Sequence, residues 1–553
     1  MIEDARISAG KGPIRDRVCI VGGGVAGLVL ALELERSGHS VLLLEAGSLG
    51  LDRLQRAAKA GHVEGTEHEP IEDTSARRLG GALALWGGRL LPFDRDDFDA
   101  QPSRREAWPF GYDELEPYYH LANERMDAGV YEYEPRRALP AQPAFFPGLK
   151  ASTEVGEFKA FRWSPPLRYA NYRAHLKTSS KVRVLFNALV TELTLDASNT
   201  RVVAATVCPT PDRRFEVQAD YFVVAGGGLE TARLLLASRR ARPAGLGNGS
   251  QHVGRHYLTH PVCALGVLSV EPKLAKRLCS FETSRDGIYV RPVISLSSEA
   301  RRARGLLNLN VTFWHPDPHN PAHGSGVLSA YALAKTVLVR SHLTRKVAGS
   351  HRMNVARDPA VHRHLVNVLS DAPRTVSTLL AWSRRRWFAQ REIPALLDAD
   401  HRGRVCLKFD AEQRESETNR VTLSGDSDAF GMPRLRVSYR VSQQDRESYY
   451  ASLELFGAEL RRAGEGTLVL PPRAEFVEHA MIGDGTHQMG LTRMSATASA
   501  GVVDENCRLH ECPNVFVAGS STFPTAGAAP PMLTTVALTL RLAAHLHREL
   551  TKV

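Results

Sequence analysis

The sequence predicts an α/β protein in which a Rossmann-like domain is assembled from separated stretches of chain, with an α+β domain between them. Three observations carry this. An apolar run that breaks into glycines and then into a helix occurs near residues 20, 225 and 518, the pattern of a buried parallel strand reaching a ligand. Between about 265 and 474 the pattern changes to strands alternating with long Arg-rich helices. The 553 residues, 43% hydrophobic and 24% charged, match a soluble globular protein large enough for a substantial core.

The first unit runs from Val18 through Gly22, Gly23, Gly24 and Gly27 into a helical stretch to Gly38, then into an apolar run 41–44 that ends on Glu45. Gly22 permits the tight turn, Gly24 lets backbone N–H groups approach a pyrophosphate, and Gly27 lets the helix pack close to its strand. Glu45 stands where a carboxylate accepts the ribose hydroxyls of an adenosine. A lone Gly-x-Gly-x-x-Gly is a weak signal, but strand, helix, second strand and acid in order make a dinucleotide-binding unit.

Next, Gly80, Gly81, Gly87 and Gly88 surround Trp86 in a loop that either wraps a flat ring and phosphates or is a surface turn anchored by the Trp. Tyr112 or Asp113 is placed to cap a helix running to about Asp127. Residues 131–166, rich in Pro and aromatics, read as a connection leaving the first domain. Strands follow at 182–186, 188–195, 202–208, 215–217 and 221–225, and the last enters Gly226, Gly227, Gly228 and a helix at 229–238. A strand ending in glycines faces the ligand in an open α/β sheet.

In the central region the clearest helices are 327–344 and 361–390, joined by a basic polar segment. The stretch 375–388 is apolar at Val376, Leu379, Leu380, Trp382 and Trp387 and basic at Arg384, Arg385 and Arg386. It reads either as the inner face of a packed helix or as an amphipathic surface touching a membrane or a lipid-linked substrate. Residues 407–410 and 434–439 read as strands of an antiparallel sheet, with 419–423 between them, and 443–463 as an amphipathic helix. Finally, 515–518 is a buried strand feeding a small-residue loop and a helix to about His547.

Composition removes several classes of function. Lys and Arg number 70 against 60 Asp and Glu, a mild basic excess carried by a solvated surface or attracted to anions. No aromatic-interleaved basic strip appears, which excludes nucleic acid. Seven scattered cysteines with no Cys-x-x-Cys pair argue against a disulfide framework or a metal site and fit a reducing compartment. The first 17 residues lack a signal-peptide core, and the apolar stretch 18–34 is too short and glycine-rich to span a bilayer, so a soluble cytoplasmic protein is expected.

With Gly485-Thr486-His487-Gln488-Met489-Gly490-Leu491-Thr492-Arg493-Met494 and the run from Val517 to Leu540 added, the chain resembles the glucose-methanol-choline (GMC) family of FAD oxidoreductases over nearly its full length. The other matching pieces are the Gly22 turn with Glu45, Gly80-Gly81, the stretch 225–233, and Glu412-Gln413 with 419–423. The resemblance implies an FAD-binding domain built from 14–125, 167–264 and 475–553. It also implies a connection at 126–166 and a substrate domain at 265–474 with an antiparallel sheet and flanking helices.

By the same resemblance, Gly22, Gly24, Gly27 and Glu45 hold the ADP half of FAD, and Gly80 and Gly81, with Trp86 beyond them, line the pyrophosphate and flavin side. Val190, Ala225 and Gly226 contribute the cofactor edge of the second segment. Gly519, Ser520 and the 525–533 loop with Pro531, Met532 and Leu533 cover the isoalloxazine ring. His487 takes the substrate hydroxyl proton as hydride passes to flavin N5, a role suited to an imidazole titrating near neutrality.

Two departures stand out. Pro530 replaces the Asn or His that shares the substrate oxygen with the catalytic His, and Pro cannot donate that hydrogen bond. Leu85, before Trp86, replaces the His to which some relatives attach the flavin, so non-covalent FAD is expected. The expected function is oxidation of a CH–OH group of a sugar, glycoside, cyclitol or polyol by a dehydrogenase or oxidase. The acceptor, O2, a quinone or a redox protein, stays open. The alternative is a different flavin-dependent or lyase reaction on the same fold, because of Pro530.

Overall fold

The computed structural model describes residues 1–8, 14–50, 52–65, 67–101, 106–152, 154–155, 157–164, 169–339, 361–400 and 402–552. Val18, Cys19 and Ile20, all four residues of Val41–Leu44, and Phe222, Val223 and Val224 are almost wholly buried, as continuous apolar runs must be in a sheet covered on both faces. They lie in an eight-stranded sheet of order Ile2–Asp4, Val182–Phe186, Val41–Leu44, Ile14–Val21, Arg213–Val224, Val202–Thr210, Leu189–Leu195, with Val515–Val517 also paired on Arg213–Val224. The three glycine-ending strands are neighbours: Val18–Val21 and Val515–Val517 flank 221–224 in parallel register. Their carboxyl ends therefore open on one crevice, where an open α/β sheet binds its ligand.

Residues 215–217 and 221–225, expected as two strands, belong to one strand, Arg213–Val224. Its first half pairs antiparallel with Val202–Thr210 and its second half parallel with Ile14–Val21. The polar residues Gln218 and Asp220 fall where the strand changes partners.

The second sheet also has eight strands and is antiparallel throughout. Its order is Thr467–Val469, Val262–Ser269, Arg404–Ala411, Leu309–Trp314, Tyr289–Ser295, Glu157–Trp163, Arg89–Leu90, with Glu282–Thr283 on Tyr289–Ser295. The expectation that 434–439 would share this sheet is overturned. Pro433–Ser438 pairs instead with Arg420–Ser427 and, in parallel, with His62–Glu64 in a separate three-stranded sheet. The buried Arg233 guanidinium fixes that hairpin beside the first domain, donating to Ala58 O, Met432 O, Pro433 O and, at 2.8 Å, the Asp428 carboxylate.

The helix at Tyr112–Arg125 starts from Gly111, whose extended backbone is the N-cap, rather than from a Tyr112 or Asp113 cap. Met532–Thr551, apolar along the side it buries, packs against Val25–Arg36 and Tyr112–Arg125. The expected helix 327–344 is seen as Gly326–Val339, and 340–344 lies outside the described residues. The continuous helix expected over 361–390 is two, Val361–Ser370 and Ala372–Trp387, broken at Asp371 because Pro373 removes an N–H and restricts the residue before it. In the second of these, Val376, Leu380 and Trp387 are exposed and Leu379 half-buried, while Trp382 packs against the core, so the stripe is divided between an inner and an outward face. Among the described residues no helix is long and apolar enough to cross a membrane, and all seven cysteines are free thiols.

Candidate active site

The crevice begins with the Gly22 turn. Gly22 has φ +113°, and a Cβ there would lie 2.5 Å from Ala225 O, so this glycine is required by conformation and by the closeness of the second strand. A Cβ on Gly27 would lie 1.9 Å from Gly22 O, which is the close helix-to-turn packing read from the sequence. Gly24 is the N-cap of Val25–Arg36 and no side chain caps that helix. Its first N–H groups point along the helix axis with a partial positive charge, a cradle suited to a pyrophosphate.

Glu45 is buried, accepting from Gly23 N–H at 2.9 Å and Gly47 N–H at 2.7 Å. Burial raises its carboxyl pKa and the two N–H donors oppose that. Each oxygen keeps a further lone pair with which to accept a ribose hydroxyl. Gly80, at φ +92°, donates its N–H to Gly23 O at 2.7 Å, and a Cβ on Gly81 would lie 3.2 Å from Gly24 Cα. The two glycine loops thus lie directly on each other, with Trp86 half-buried after them. Val190 lies in Leu189–Leu195, whose preceding turn donates from Ala188 to Glu45 O and from Asn187 to Gly47 O. Ala225 donates to Val21 O, and Gly226 beside it is exposed at the mouth of the crevice. These residues fit the dinucleotide expected there: a backbone cradle closed to a Cβ at Gly22 and Gly27, uncapped helix N–H groups, and an acid with spare acceptor capacity.

The carboxyl-terminal segment is stitched to the same crevice. Gly519 takes φ +140°, the Ser520 hydroxyl donates to Gln488 O at 2.7 Å, and Thr492 N–H donates to Ser521 O at 2.8 Å. The Gln488 side chain accepts from Leu229 N–H at the start of Gly228–Ala237 and donates to Thr74 Oγ1. Pro531 is the N-cap of Met532–Thr551, Leu533 is buried and Met532 half-buried, so the uncapped N-terminus of a twenty-residue helix ends this loop. Arg493 and Met494 are buried, and Arg493 pairs with Glu415 at 2.9 Å. The Thr-Arg-Met run is thus a structural latch.

His487 follows two residues held at positive φ, Gly485 (+59°) and Thr486 (+56°). Its Nδ1 lies 2.8 Å from Nδ1 of His260, and His260 Nε2 lies 2.9 Å from Ala526 O. A carbonyl only accepts, so His260 Nε2 carries the hydrogen, and burial keeps that imidazole neutral with Nδ1 as an acceptor. His487 then donates from Nδ1, which leaves Nε2 as its basic nitrogen. Burial, reinforced by the adjacent His260, holds the His487 pKa well below the usual histidine value, so the ring is a neutral proton acceptor.

One face of the second sheet looks toward this pair. Asp410 opposes Asn310 and Lys408 opposes Thr312 in register, so the four side chains share a face. Arg89 clamps Asp410 through two hydrogen bonds of 2.7 and 3.1 Å, holding its carboxyl far below the usual range. Burial brings Lys408 down to about 8, and the charges of Asp410, Arg89 and Lys408 all act on His487. The buried Asn310 Oδ1 has no hydrogen-bond partner among the described residues, an acceptor matched to a hydroxyl donor. Arg89, Asn310, Lys408, Asp410 and the His260 partner are not predicted by any motif. The alternation at 407–410 was the only signal for two of them.

A family model described as FAD dependent oxidoreductase matches residues 17–295, and one described as GMC oxidoreductase matches 415–539. The chain is 24% identical to the fructose dehydrogenase large subunit of Gluconobacter japonicus, covering 95% of this chain and 96% of that one. It is 26% identical to the paromamine 6'-oxidase of Streptomyces fradiae, covering 95% and 90%. Among solved structures, pyridoxine 4-oxidase from Mesorbium loti superposes with a TM-score of 0.58 at 18% identity, covering 96% of this chain and 99% of that one. Formate oxidase gives a TM-score of 0.57 at 16% identity, covering 98% and 99%. At these identities the structural likeness shows the fold alone.

Proposed function

Because the chain belongs to the FAD-dependent oxidoreductases of the glucose-methanol-choline family, we propose that it oxidises a CH–OH group of a sugar, glycoside, cyclitol or polyol, with His487 as the base. The observation that carries this reading is the ordered chain His487, His260, Ala526, which presents a neutral imidazole with its lone pair on Nε2. FAD supplies the hydride acceptor at N5. His487 takes the hydroxyl proton at Nε2, which makes the adjacent C–H bond a better hydride donor. The Gly22, Gly24, Gly80 and Gly81 backbone, Glu45 and the 519–533 loop hold the dinucleotide without a covalent link, since Leu85 offers no nucleophile. Asn310, Lys408 and Asp410 orient the other hydroxyls of a polyhydroxylated substrate, which also agrees with the substrates named in the two relatives above.

The test is anaerobic mixing of the yellow protein with a panel of sugars, glycosides, cyclitols and polyols while following flavin absorbance. Bleaching by a member of the panel, lost in His487→Ala with FAD retained, is the expected result. Bleaching that persists unchanged in His487→Ala overturns the assignment. Buried Pro530 favours a second reading, a lyase or other flavin-dependent reaction, which would consume a substrate of the panel without bleaching the flavin.

A further inference from the structure

The helices Val361–Ser370 and Ala372–Trp387 both pack on Gly326–Val339, and they do so with their polar side chains. His364 is buried against Ser329 Oγ at 3.0 Å, Asn367 donates to Ser329 Oγ and Pro321 O, and Arg374 is paired with Asp371 and Asp398. Trp382 packs against the core and Val368 and Leu379 are half-buried, but the other large apolar side chains point outward. Leu365 and Leu369 are 49% and 75% exposed, Val366 60%, Leu380 66%, Trp387 65% and Phe388 83%. Leu365 and Leu369 are one helical turn apart, and Leu380 and Trp387 seven residues apart, so each helix carries a continuous outward stripe. A soluble helix shows the opposite arrangement, and an exposed apolar patch of this kind marks a contact surface.

Charge identifies what makes the contact. Residues 361–391, which span the two helices, contain six Arg against one acid, Asp371, an excess of +5 that is half of the formal net charge of +10 on the 553-residue chain. Arg363, Arg384 and Arg385 are exposed beside the apolar stripes, and Trp387 and Phe388 directly follow the Arg384-Arg385-Arg386 run. Protruding Trp and Phe at the end of an apolar stripe, bordered by Arg, are the side chains that enter the boundary between headgroups and acyl chains while the guanidinium groups reach lipid phosphates.

We infer that this two-helix face seats the protein peripherally on an anionic lipid surface. An acidic protein would satisfy the charge, but it would need a surface shaped to the projecting Trp387 and Phe388, which a bilayer boundary accommodates without one.

The experiment is flotation of the full-length FAD-loaded protein with phosphatidylcholine vesicles, with and without phosphatidylglycerol, at low and high salt. Binding is expected to the phosphatidylglycerol vesicles, with a blue shift of Trp fluorescence, and to weaken as salt rises. Each basic residue near an anionic surface is worth roughly fivefold in partitioning, so Arg363→Glu with Arg384→Glu should weaken binding by about 25-fold or more. Leu380→Ser with Trp387→Ser should abolish the blue shift while flavin content and thermal midpoint stay at parental values. Equal binding to both vesicle types overturns the electrostatic part of the inference. Absence of vesicle binding overturns it altogether. In that case a concentration-dependent mass lost in Leu380→Ser/Trp387→Ser assigns the face to a second copy. A lowered thermal midpoint assigns it to another part of this chain, and capture of an acidic redox protein to that class of partner.

Discussion

Nδ1 of His487 lies 2.8 Å from Nδ1 of His260, so the base is oriented by a second histidine that is itself anchored on the carbonyl of Ala526. The contact joins the His487 segment to the loop carrying Pro530. Replacing His260 by Leu removes the acceptor and releases the His487 tautomer. Flavin reduction by the substrate should slow about tenfold or more, yet less than the 10²–10⁴-fold expected for His487→Ala. Both variants should retain FAD. His260→Leu must also move the pH profile, which a purely structural role would not do.

The direction of that profile follows from the electrostatics. His487 is held well below the ordinary histidine value of 6.5 by burial and by His260. The reactive neutral form therefore persists as pH falls through 6.5, and the rate is lost only at the lower, folded-state pKa. In His260→Leu the flanking imidazole is gone, so the acidic limb should move up toward 6.5. The same shifts act on stability. Below 6.5 the unfolded chain binds protons that half-buried His487 and buried His260 refuse, so unfolding is favoured as pH drops through and below that value. Denaturant midpoints measured from pH 7.5 to 5 should fall, and the fall should be shallower in the His260→Leu variant.

The glycine cradle gives a binding prediction independent of turnover. Gly22→Ala forces a Cβ to 2.5 Å from Ala225 O at φ +113° and should yield protein with little or no bound FAD, read as flavin absorbance per polypeptide. At Gly24 the nearest atom to an added Cβ is 3.9 Å away, so Gly24→Ala should keep the fold and lose affinity only through crowding of the ligand.

Arg233 and Asp428 form a buried pair 2.8 Å apart, with side chains 1% and 0% exposed. Asp428→Ala leaves the guanidinium with only the more distant Glu230 carboxylate, at 3.7 Å, and also removes the acceptor for Phe430 and Met432 N–H. The expected cost is about 3 kcal/mol, measurable by chemical denaturation, because a buried charge loses its hydrogen-bonded carboxylate.

These residues also show what the sequence could carry. The three strand–glycine–helix units, the Gly22 and Gly27 contacts and the placing of strand 515–517 in the same sheet were legible, because tight turns and buried parallel strands leave local signatures. The hairpin at 420–438 was assigned to the wrong sheet, since the determinant is a guanidinium nearly two hundred residues away in sequence. The part His260 plays was not legible, because it comes from a distance to His487 that no spacing encodes. The 375–388 stripe was ambiguous for another reason: periodicity gives an apolar face but not the direction in which it points.

Pro530 supplies the last test. It is buried in a loop anchored at several points: Trp108 Nε1 donates to Thr525 Oγ1 at 2.9 Å, Thr525 Oγ1 donates to Asp97 O at 2.8 Å, and Gly527 turns at φ +56° against the Asp97 carboxylate. These anchors do not involve residue 530, so the loop should keep its course when the proline is replaced. Pro530→Ala should change the rate of flavin reduction little, at a stability cost of about 0.4–1 kcal/mol from the freer unfolded chain. Pro530→Asn adds an amide donor where the family places one, and a positioned donor to a developing alkoxide is worth about 10²–10³-fold when removed from enzymes that depend on it. An increase of about tenfold or more in Pro530→Asn, absent in Pro530→Ala, means that the parent works with one group fewer at the substrate oxygen. An unchanged rate with FAD and thermal midpoint preserved means that the second group is already supplied elsewhere, and Lys408 and Asn310, on the sheet face opposite His487, are the side chains to replace next.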